Sequence, residues 1–229
     1  LIVPVNQVLT PWGQLVAQHD LFLDSILSLE YCHYLAATNR ANLIWFTVFN
    51  ELLINAAPMD QPGWSAWLRE KLAGQYSPRS LVRHVANEVR FVLDAYTVKA
   101  FKRLELITQT PEQTLVLGRH AALTPQVLAA AIYSFAAHYR AQVVPFDDLH
   151  AAAGSPGRVF GLEAPLMRQM VENLHQKGWL RFEVRHGLDQ VRLGQGLNPL
   201  EFLQSAYESR EPVPQPTPST PGDSQAYLL

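Results

Sequence analysis

The sequence predicts an α+β chain, mostly α, that contains two tandem winged helix-turn-helix-type modules with short β-hairpin wings. Three observations lead to this fold class. Residues 146–193 carry, without a break, the patterns of a short helix, a turn, a longer helix and a β-hairpin. A similar but less regular succession lies within residues 41–119. The 229 residues are 48% hydrophobic, which is sufficient for well-packed cores.

The second module begins with a helix over residues 125–138, followed by a short helix that starts at Phe146. In the longer helix that comes next, apolar residues recur with a period near 3.6. Pro165 suits the first turn of this helix, and Gly178 suits the position just after its end. Two alternating runs on either side of residues 185–187 then predict a two-stranded wing.

The outward face of this longer helix is polar, with residue types that either contact base edges or remain in water. Two further arginines lie in the preceding turn and in the wing. The candidate DNA contacts of this module are Arg158, Arg168, Gln169, Asn173, Gln176 and Arg185. The alternative is a solvated surface helix, and Glu172 on the same face would repel phosphates.

The first module is predicted to contain three successive helices and a hairpin. Residues 43–54 are apolar around most of a helix, which indicates a central position in a core. A second helix opens at Pro62, and a third begins at Ser77-Pro78, with serine as the N-cap. Two short apolar runs about a turn at Thr110-Pro111 complete the module.

The third helix of the first module carries the strongest basic stripe in the sequence. Between Ser77 and Arg103 there are six basic residues against two acidic ones, whereas residues 158–192 have six against four. Because attachment to phosphates is the larger part of most DNA binding, this stripe is the preferred phosphate contact. Its candidate residues are Arg79, Arg83, Asn87, Arg90, Lys102 and Arg103. The alternative is a solvated face that pairs with acidic neighbours.

These patterns divide the chain into four parts. Residues 1–40 are expected to pack on the first module, which covers residues 41–119, and the second module covers residues 120–208. Residues 209–229 form a proline-rich tail that is expected to be flexible. The chain starts at Leu1 rather than at methionine, so we expect a preceding segment.

Composition and motifs point away from several other classes of protein. A net charge of −2 and a pI near 6.5 restrict any DNA contact to local patches. Cys32 is the only cysteine, which excludes an internal disulfide and a cysteine zinc cluster. We find no catalytic, nucleotide-binding or metal-ligand spacing, and we therefore expect no enzyme and no cofactor. His33 is interpreted as a structural histidine rather than a pKa-tuned one. No bilayer-spanning run or signal peptide is present, which favours a cytoplasmic protein.

Several stretches of the sequence resemble the bacterial domain of unknown function 4007. They are LEYCHYLAATNRANLIWFTVFNEL, VRFVLDAYT, SPGRVFGL and GLDQVRL, and the resemblance runs from about Trp12 to Tyr207. Members usually carry a further N-terminal segment, and a longer stretch stands where this chain has VKAFKRLELI.

The resemblance implies a gene neighbourhood rather than a mechanism. Members of this family are encoded beside phosphoadenosine-phosphosulfate-reductase-like genes, in clusters linked to DNA sulfur modification and anti-phage defence. Together with the two modules, this implies a non-catalytic accessory protein that binds double-stranded DNA, with protein partners in a modification or restriction complex. The alternative is a tandem winged-helix adaptor between the proteins of an ATPase or modification complex.

Overall fold

A computed structural model describes residues 2–3, 8–118, 120, 122–184 and 188–209. Within these residues the chain is α+β and mostly helical, as predicted. The α-helices are Pro11–His19 (α1), Ile26–Thr38 (α2), Leu43–Thr47 (α3), Leu53–Asn55 (α4), Gln61–Lys71 (α5), Pro78–Thr97 (α6), Pro125–His138 (α7), Phe146–Ala151 (α8), Pro156–Val159 (α9), Ala164–Gln176 (α10) and Pro199–Glu208 (α11). A π-helical turn, Val48–Leu52, joins α3 to α4, and a 3₁₀ helix, Ala100–Leu104, follows α6.

The strands form small antiparallel sheets. The strands are Ile2–Val3 (β1), Val8–Leu9 (β2), Ile107–Gln109 (β3), Leu115–Leu117 (β4), Val143–Pro145 (β5), Leu180–Glu183 (β6) and Gln190–Leu193 (β7). β1 pairs with β2, β3 pairs with β4, and the last three strands form one sheet in the order β5-β7-β6. Val191 lies at the centre of this sheet, where it is opposite both Val144 and Phe182 and is fully buried.

Local sequence signals set many of these boundaries correctly. The Ser77 hydroxyl accepts a hydrogen bond from the Ser80 amide and caps α6, and Pro78 occupies the first turn, as predicted. Gly178 takes a left-handed conformation, with φ of 72°, just after α10. The predicted hairpins about Thr110-Pro111 and after Gly178 are present as β3-β4 and β6-β7. The turn of the second hairpin, residues 185–187, lies outside the described residues.

The predicted single helix over residues 43–54 is instead three segments with a π-helical turn in the middle. The Asn50 side chain lies within this turn and is fully buried. Its Nδ2 donates to the carbonyl oxygens of Ala37 (2.8 Å) and Phe46 (2.9 Å). Such turns widen a helix locally, and here the widening accompanies a polar side chain that bonds to α2. Apolar periodicity cannot reveal this feature, because it does not show which partner a buried polar side chain will bond to.

One continuous hydrophobic core extends from Trp12 to Tyr207. α1 packs against α11, and the Trp12 and Tyr207 rings stack with centroids 6.4 Å apart. α2 packs against α3, the 3₁₀ helix, α7 and α9. The proposed division into residues 41–119 and 120–208 stays a prediction, and the boundary residue Arg119 lies outside the described residues. Most of the predicted tail, residues 210–229, also lies outside them.

Three buried or partly buried side chains connect the segment 154–159 to the N-terminal helices, and we call them the central hydrogen-bond network: His33, Asn50 and Arg158. The Asn50 Oδ1 atom accepts from the Gly154 amide (2.6 Å), and Arg158 Nη1 donates to the Asn50 carbonyl (2.6 Å). Asn50 therefore forms hydrogen bonds with its side-chain Nδ2 and Oδ1 atoms and with its backbone carbonyl oxygen. Since every one of these groups would be costly to bury unpaired, the network fixes the relative position of the two segments.

His33 completes this network, and its environment defines its tautomer. Its Nε2 lies 2.8 Å from the Val159 carbonyl, so Nε2 carries the hydrogen and donates it. Its Nδ1 then accepts the hydrogen of the Tyr96 hydroxyl at 2.5 Å. Burial lowers the pKa of His33 from 6.5 to about 3, although the bond to Val159 acts in the opposite direction. His33 is neutral and structural, as the sequence indicated.

We predict that His33 makes the protein sensitive to mild acid. The unfolded chain takes up a proton on His33 as the pH falls below about 6.5, but the folded chain does not until about pH 3. Stability contributed by neutral His33 is therefore complete above pH 6.5 and is lost as the pH falls, by up to about 1.4 kcal/mol per pH unit.

Urea unfolding at pH 7.0, 6.0 and 5.0 measures this effect. A His33→Gln variant offers one donor and one acceptor but cannot titrate, so its free energy of unfolding should fall less steeply than that of the wild type. His84→Gln, on the exposed face of α6, is the matched control and should keep the wild-type slope. Equal slopes for wild type and His33→Gln would contradict the prediction.

We predict that Gly157 tolerates no side chain. A Cβ atom there would lie 2.6 Å from both Cα and the carbonyl oxygen of His150, and 2.7 Å from the Met167 sulfur. Because two of these atoms belong to the backbone, α8 and α9 must move apart, and Gly157→Ala should cost about 1–3 kcal/mol or more. Gly178→Ala is the control, since a Cβ atom at that position would meet nothing within 4 Å and only the φ of 72° is strained. That strain costs roughly 1–2 kcal/mol, and a smaller loss in Gly157→Ala than in Gly178→Ala would contradict the prediction.

Candidate nucleic-acid interface

The inward face of α6 anchors the predicted basic stripe to the core. The buried residues of this helix recur with a period near 3.6 and share one face: Leu81, Val85, Val89, Val92, Leu93 and Tyr96. The helix packs mainly against α5 and the 3₁₀ helix, with further contacts to α3 and β3. α6 is 20 residues long and buries one apolar face, so its opposite face is exposed to solvent along the helix.

The outward face of α6 displays the stripe as predicted. Arg79, Arg83, Asn87 and Arg90 are all on the solvent side, at successive spacings of four, four and three residues. Residues at these spacings share one side of a helix. From Arg79 to Arg90 the stripe is about 16 Å long, at 1.5 Å per residue, which exceeds the roughly 12 Å width of the major groove of DNA.

In the part of the chain that the structure describes, the arginines of this stripe have no acidic partner. Among the described residues, Arg79, Arg83 and Arg90 form no ion pair. Arg90 lies over the ring of Phe91, with 5.4 Å from its guanidinium carbon to the ring centroid. The Asn87 amide donates to the Arg83 carbonyl at 3.4 Å. The alternative of a face that pairs with its acidic neighbours therefore finds no support in this part of the chain.

Two further candidates lie in the 3₁₀ helix that packs against α6. Lys102 and Arg103 are both exposed. Arg103 Nη1 donates to the Asp24 carbonyl oxygen at 2.6 Å, and this bond holds the arginine to the turn before α2. The 3₁₀ helix thus extends the basic surface beyond the end of α6, with Lys102 as its freer charge.

The sequence did not single out Val82 and Phe91, which are exposed on α6 on either side of the stripe. Val82 is 62% exposed and Phe91 is 51% exposed. Both are apolar residues away from the inward positions of α6. Their displacement from the 3.6-residue pattern is the signal that marks them in the sequence. The stripe is therefore a mixed basic and apolar surface.

The polar candidates of α10 lie where they were predicted. Gln169, Asn173 and Gln176 are on the solvent side, and the opposite face buries Met167, Val171 and Leu174. This helix packs against β6 and α7 rather than being an extension of α6. The structure therefore carries the amide-rich face and the arginine stripe on separate parts of one core.

Two arginines of the second group are used inside the fold. Arg168 pairs with the Asp189 carboxylate and lies over the rings of Phe146 (4.8 Å) and Phe182 (5.3 Å). Arg158 donates to the carbonyl oxygens of Ala151 and Asn50, at 2.6 Å each. These contacts join elements to one another, which leaves fewer donors for a ligand. Arg185 lies outside the described residues.

Two histidines, His33 and His120, are structural in their contacts. His33 belongs to the central hydrogen-bond network. His120 Nε2 lies 2.6 Å from the carboxylate of the fully buried Glu30, and His120 Nδ1 lies 3.0 Å from the Leu104 carbonyl oxygen. The same Glu30 carboxylate accepts from the Thr124 amide. These bonds tie α2 to the chain on either side of the predicted boundary.

Within the described ranges, no three or more His, Cys, Asp or Glu side chains lie together in a way that could hold a metal ion. We therefore assign no metal to any of these residues. None of the described helices combines the length and the apolar character that crossing a bilayer requires.

Comparison with known proteins adds a family and a fold. No curated protein sequence matches the chain. Two solved structures that match are described as "Magnesium ion-bound SspB crystal structure" and "SspB crystal structure", each with a TM-score of 0.69. Their sequences are 15% and 17% identical to this chain, and the alignments cover 91% and 89% of it but 67% and 66% of the SspB chains. The chain thus shares its fold with about two thirds of SspB.

The model of the family described as "Protein of unknown function (DUF4007)" matches residues 5–207. This range includes α6, the central hydrogen-bond network and α10, and it agrees with the resemblance found in the sequence. The chain belongs to the DUF4007 family.

Proposed function

We propose that this protein is a non-catalytic, cytoplasmic accessory protein that binds double-stranded DNA in a bacterial DNA sulfur-modification or anti-phage defence system. The observation that carries this proposal is the exposed stripe of Arg79, Arg83 and Arg90 on α6, which is free of ion pairs among the described residues. Lys102 continues it.

Phosphate binding is supported by the availability of these arginine side chains, which have no acidic partner among the described residues. An arginine that already pairs with a carboxylate must break that pair to meet a phosphate, whereas an exposed, unpaired one only releases water and counterions. The planar guanidinium also matches the geometry of phosphate oxygens. The stripe on α6 therefore offers more binding free energy than the Arg168 site, whose cation is committed to Asp189.

We further propose that the two halves of the chain are winged-helix-type modules. In the second half the order is α7, β5, α8, α9, α10, β6, β7. Apart from the four-residue α9, which would belong to the turn, this order supports such a module, with β5 as the third strand of its sheet. α10 would then be its recognition helix, and Gln169, Asn173 and Gln176 would contact base edges. In the first half, α6 and the β3-β4 hairpin would have the corresponding places.

The proposed system follows from the family. The resemblance to DUF4007 implies genes beside phosphoadenosine-phosphosulfate-reductase-like genes, and family membership supports that assignment for this chain. We propose that the protein brings a modification or restriction complex to DNA, with the other subunits as its protein partners. The fold shared with SspB is compatible with this role.

A second candidate function is an adaptor that binds another protein through the same face. The specific observation in its favour is the exposure of Val82 (62%) and Phe91 (51%) on either side of the stripe. Three tryptophans contribute less to an apolar patch, since Trp64 is fully buried and Trp67 and Trp179 are partly buried. We favour DNA because the apolar groups on α6 are separated by arginines rather than contiguous.

We predict that Arg83→Ala with Arg90→Ala weakens binding to duplexes of every sequence. Fluorescence anisotropy over a salt series should show a slope of log affinity against log salt that is lower by about two, roughly one for each lost phosphate contact. The matched control is Lys71→Ala with Lys177→Ala. It removes the same charge from residues that contact Glu51 and Trp179, so its slope should stay close to that of the wild type. An unchanged slope in the first variant would refute the role of the stripe.

We predict that Asn173→Ala changes only the preference among DNA sequences and leaves the salt slope unchanged, because an amide contacts bases rather than phosphates. The measurement compares anisotropy on several duplexes, including a plain and a phosphorothioate-containing one. A difference between those two would connect the protein to sulfur modification. No binding to either at low salt would favour the adaptor, and a salt slope altered by Asn173→Ala would contradict the assignment of α10.

A further inference from the structure

A second site lies away from the stripe, in a cleft between the C-terminal ends of α2 and α7. The cleft has a volume of about 160 Å³, and residues 153–154 form part of its lining. Tyr34 and Thr38 of α2, and Ser134 and Phe135 of α7, contribute to its wall. Nothing in the proposed DNA contact uses these residues.

The cleft has an unusual charge. Among the described residues that line it, Arg40 is a permanent cation, and none is a carboxylate. Acidic residues outnumber basic ones in the chain as a whole, at 20 against 18. A concave site whose described lining has a cation and no carboxylate favours an anionic ligand.

Arg40 is available to that ligand. Its guanidinium carbon lies 4.7 Å from the centroid of the Phe46 ring, so the aromatic face holds the planar group in place. Among the described residues its donors form no hydrogen bond and no ion pair. A guanidinium that is positioned by a ring but unpaired retains its fork of donors for a phosphate or carboxylate.

The wall beside it is aromatic. The Phe135 and Tyr139 rings lie 4.9 Å apart, and the His138 ring meets Tyr139 edge-on at 5.0 Å. Tyr139 is 53% exposed at the edge of the cleft, where it is free to stack on a planar ligand. Such stacking accepts any base, because every base has a π-face.

The volume limits the ligand to about one ring. A cavity of about 150 Å³ is known to hold benzene, and this cleft is of similar size. A pyrimidine has one ring, and a purine has two. The cleft is not enclosed, so a sugar and a phosphate can extend out of it.

From the size, the aromatic wall and the positive charge together, we propose that this cleft binds a pyrimidine nucleotide. The base stacks on Tyr139, and the 5′-phosphate pairs with Arg40. The nucleotide is either free or an unpaired residue of a DNA strand. Only the second source depends on the proposed DNA-binding function.

The first test is a titration of the whole chain with thymidine 5′-monophosphate, followed by saturation-transfer NMR. We expect saturable binding of thymidine 5′-monophosphate. Thymidine and inorganic phosphate should each bind more weakly, because each lacks one half of this nucleotide. Deoxyadenosine monophosphate should also bind more weakly than thymidine 5′-monophosphate. Arg40→Gln should weaken binding of the pyrimidine nucleotide by about tenfold or more, through loss of a charge-assisted contact. Tyr139→Ala should also weaken it, and Tyr139→Phe should not.

Arg181→Gln is the matched control, since it removes the same charge from the exposed side of β6, outside both the cleft and the stripe, and should leave nucleotide binding unchanged. Because Arg40, Arg181 and Tyr139 are all exposed, these variants should fold, which circular dichroism will verify. Absence of thymidine monophosphate binding, or equal loss in Arg40→Gln and Arg181→Gln, would overturn the proposal. If inorganic phosphate alone bound as tightly as thymidine monophosphate, the proposed stacking of the base on Tyr139 would be overturned.

A second arm separates the two sources of the nucleotide. A duplex with one unpaired thymidine should bind more tightly than the fully paired duplex, and Arg40→Gln should abolish that difference while retaining the salt-dependent binding of both. If neither duplex binds but the free nucleotide does, the proposed DNA-binding function is wrong, and the proposal that the cleft binds a pyrimidine nucleotide is retained. If both duplexes bind equally in wild type and in Arg40→Gln, the free nucleotide is the ligand.

Discussion

The structure depends on the central hydrogen-bond network, through which segment 154–159 is bonded to α2 and to the π-helical turn. His33, Asn50 and Arg158 supply side-chain donors or acceptors that would each be costly to bury alone. With all of them paired, the two halves of the sequence share one core rather than two separate ones. The close approach of Gly157 to His150 belongs to the same arrangement, because it lets α9 lie against α8 while the Val159 carbonyl meets α2. The faces that α6 and α10 present to solvent are therefore carried by one continuous core.

Much of this fold could be predicted from short-range patterns. The capped start of α6, its inward apolar residues, the limits of α7 and the two hairpins all follow from local rules of periodicity, capping and turns. The π-helical turn could not be predicted in this way. It accompanies bonds from Asn50 to α2 and to segment 154–159, and the latter partner is more than a hundred residues distant in sequence. Long-range polar pairing leaves no periodic trace in the residues that surround it.

The candidate site shows the same division. Exposure of the α6 stripe and of the α10 amides follows from helical periodicity, and the structure places both as expected. Helical periodicity does not show which of the arginines form ion pairs or hydrogen bonds within the fold. Arg168 meets Asp189 only because the β6-β7 hairpin folds back over α10, and Arg158 meets Asn50 only because of the network. The equal counts of basic residues in residues 77–103 and 158–192, six in each, thus conceal a difference in available charge. The cleft at Arg40 is a further feature that arises only when α2 and α7 are brought side by side.

The π-helical turn also bears on how such a chain can change over evolutionary time. A π turn is an α-helix that has gained a residue, and each residue in a helix accounts for about 100° of rotation around its axis. Loss of one residue between Val48 and Leu52 would restore a regular helix but would turn α4 relative to α3 and carry Asn50 away from its partners. The number of residues in the π-helical turn and the presence of asparagine at position 50 should therefore change together during evolution. In an alignment of sequences with this fold, a one-residue gap here should coincide with the replacement of this asparagine.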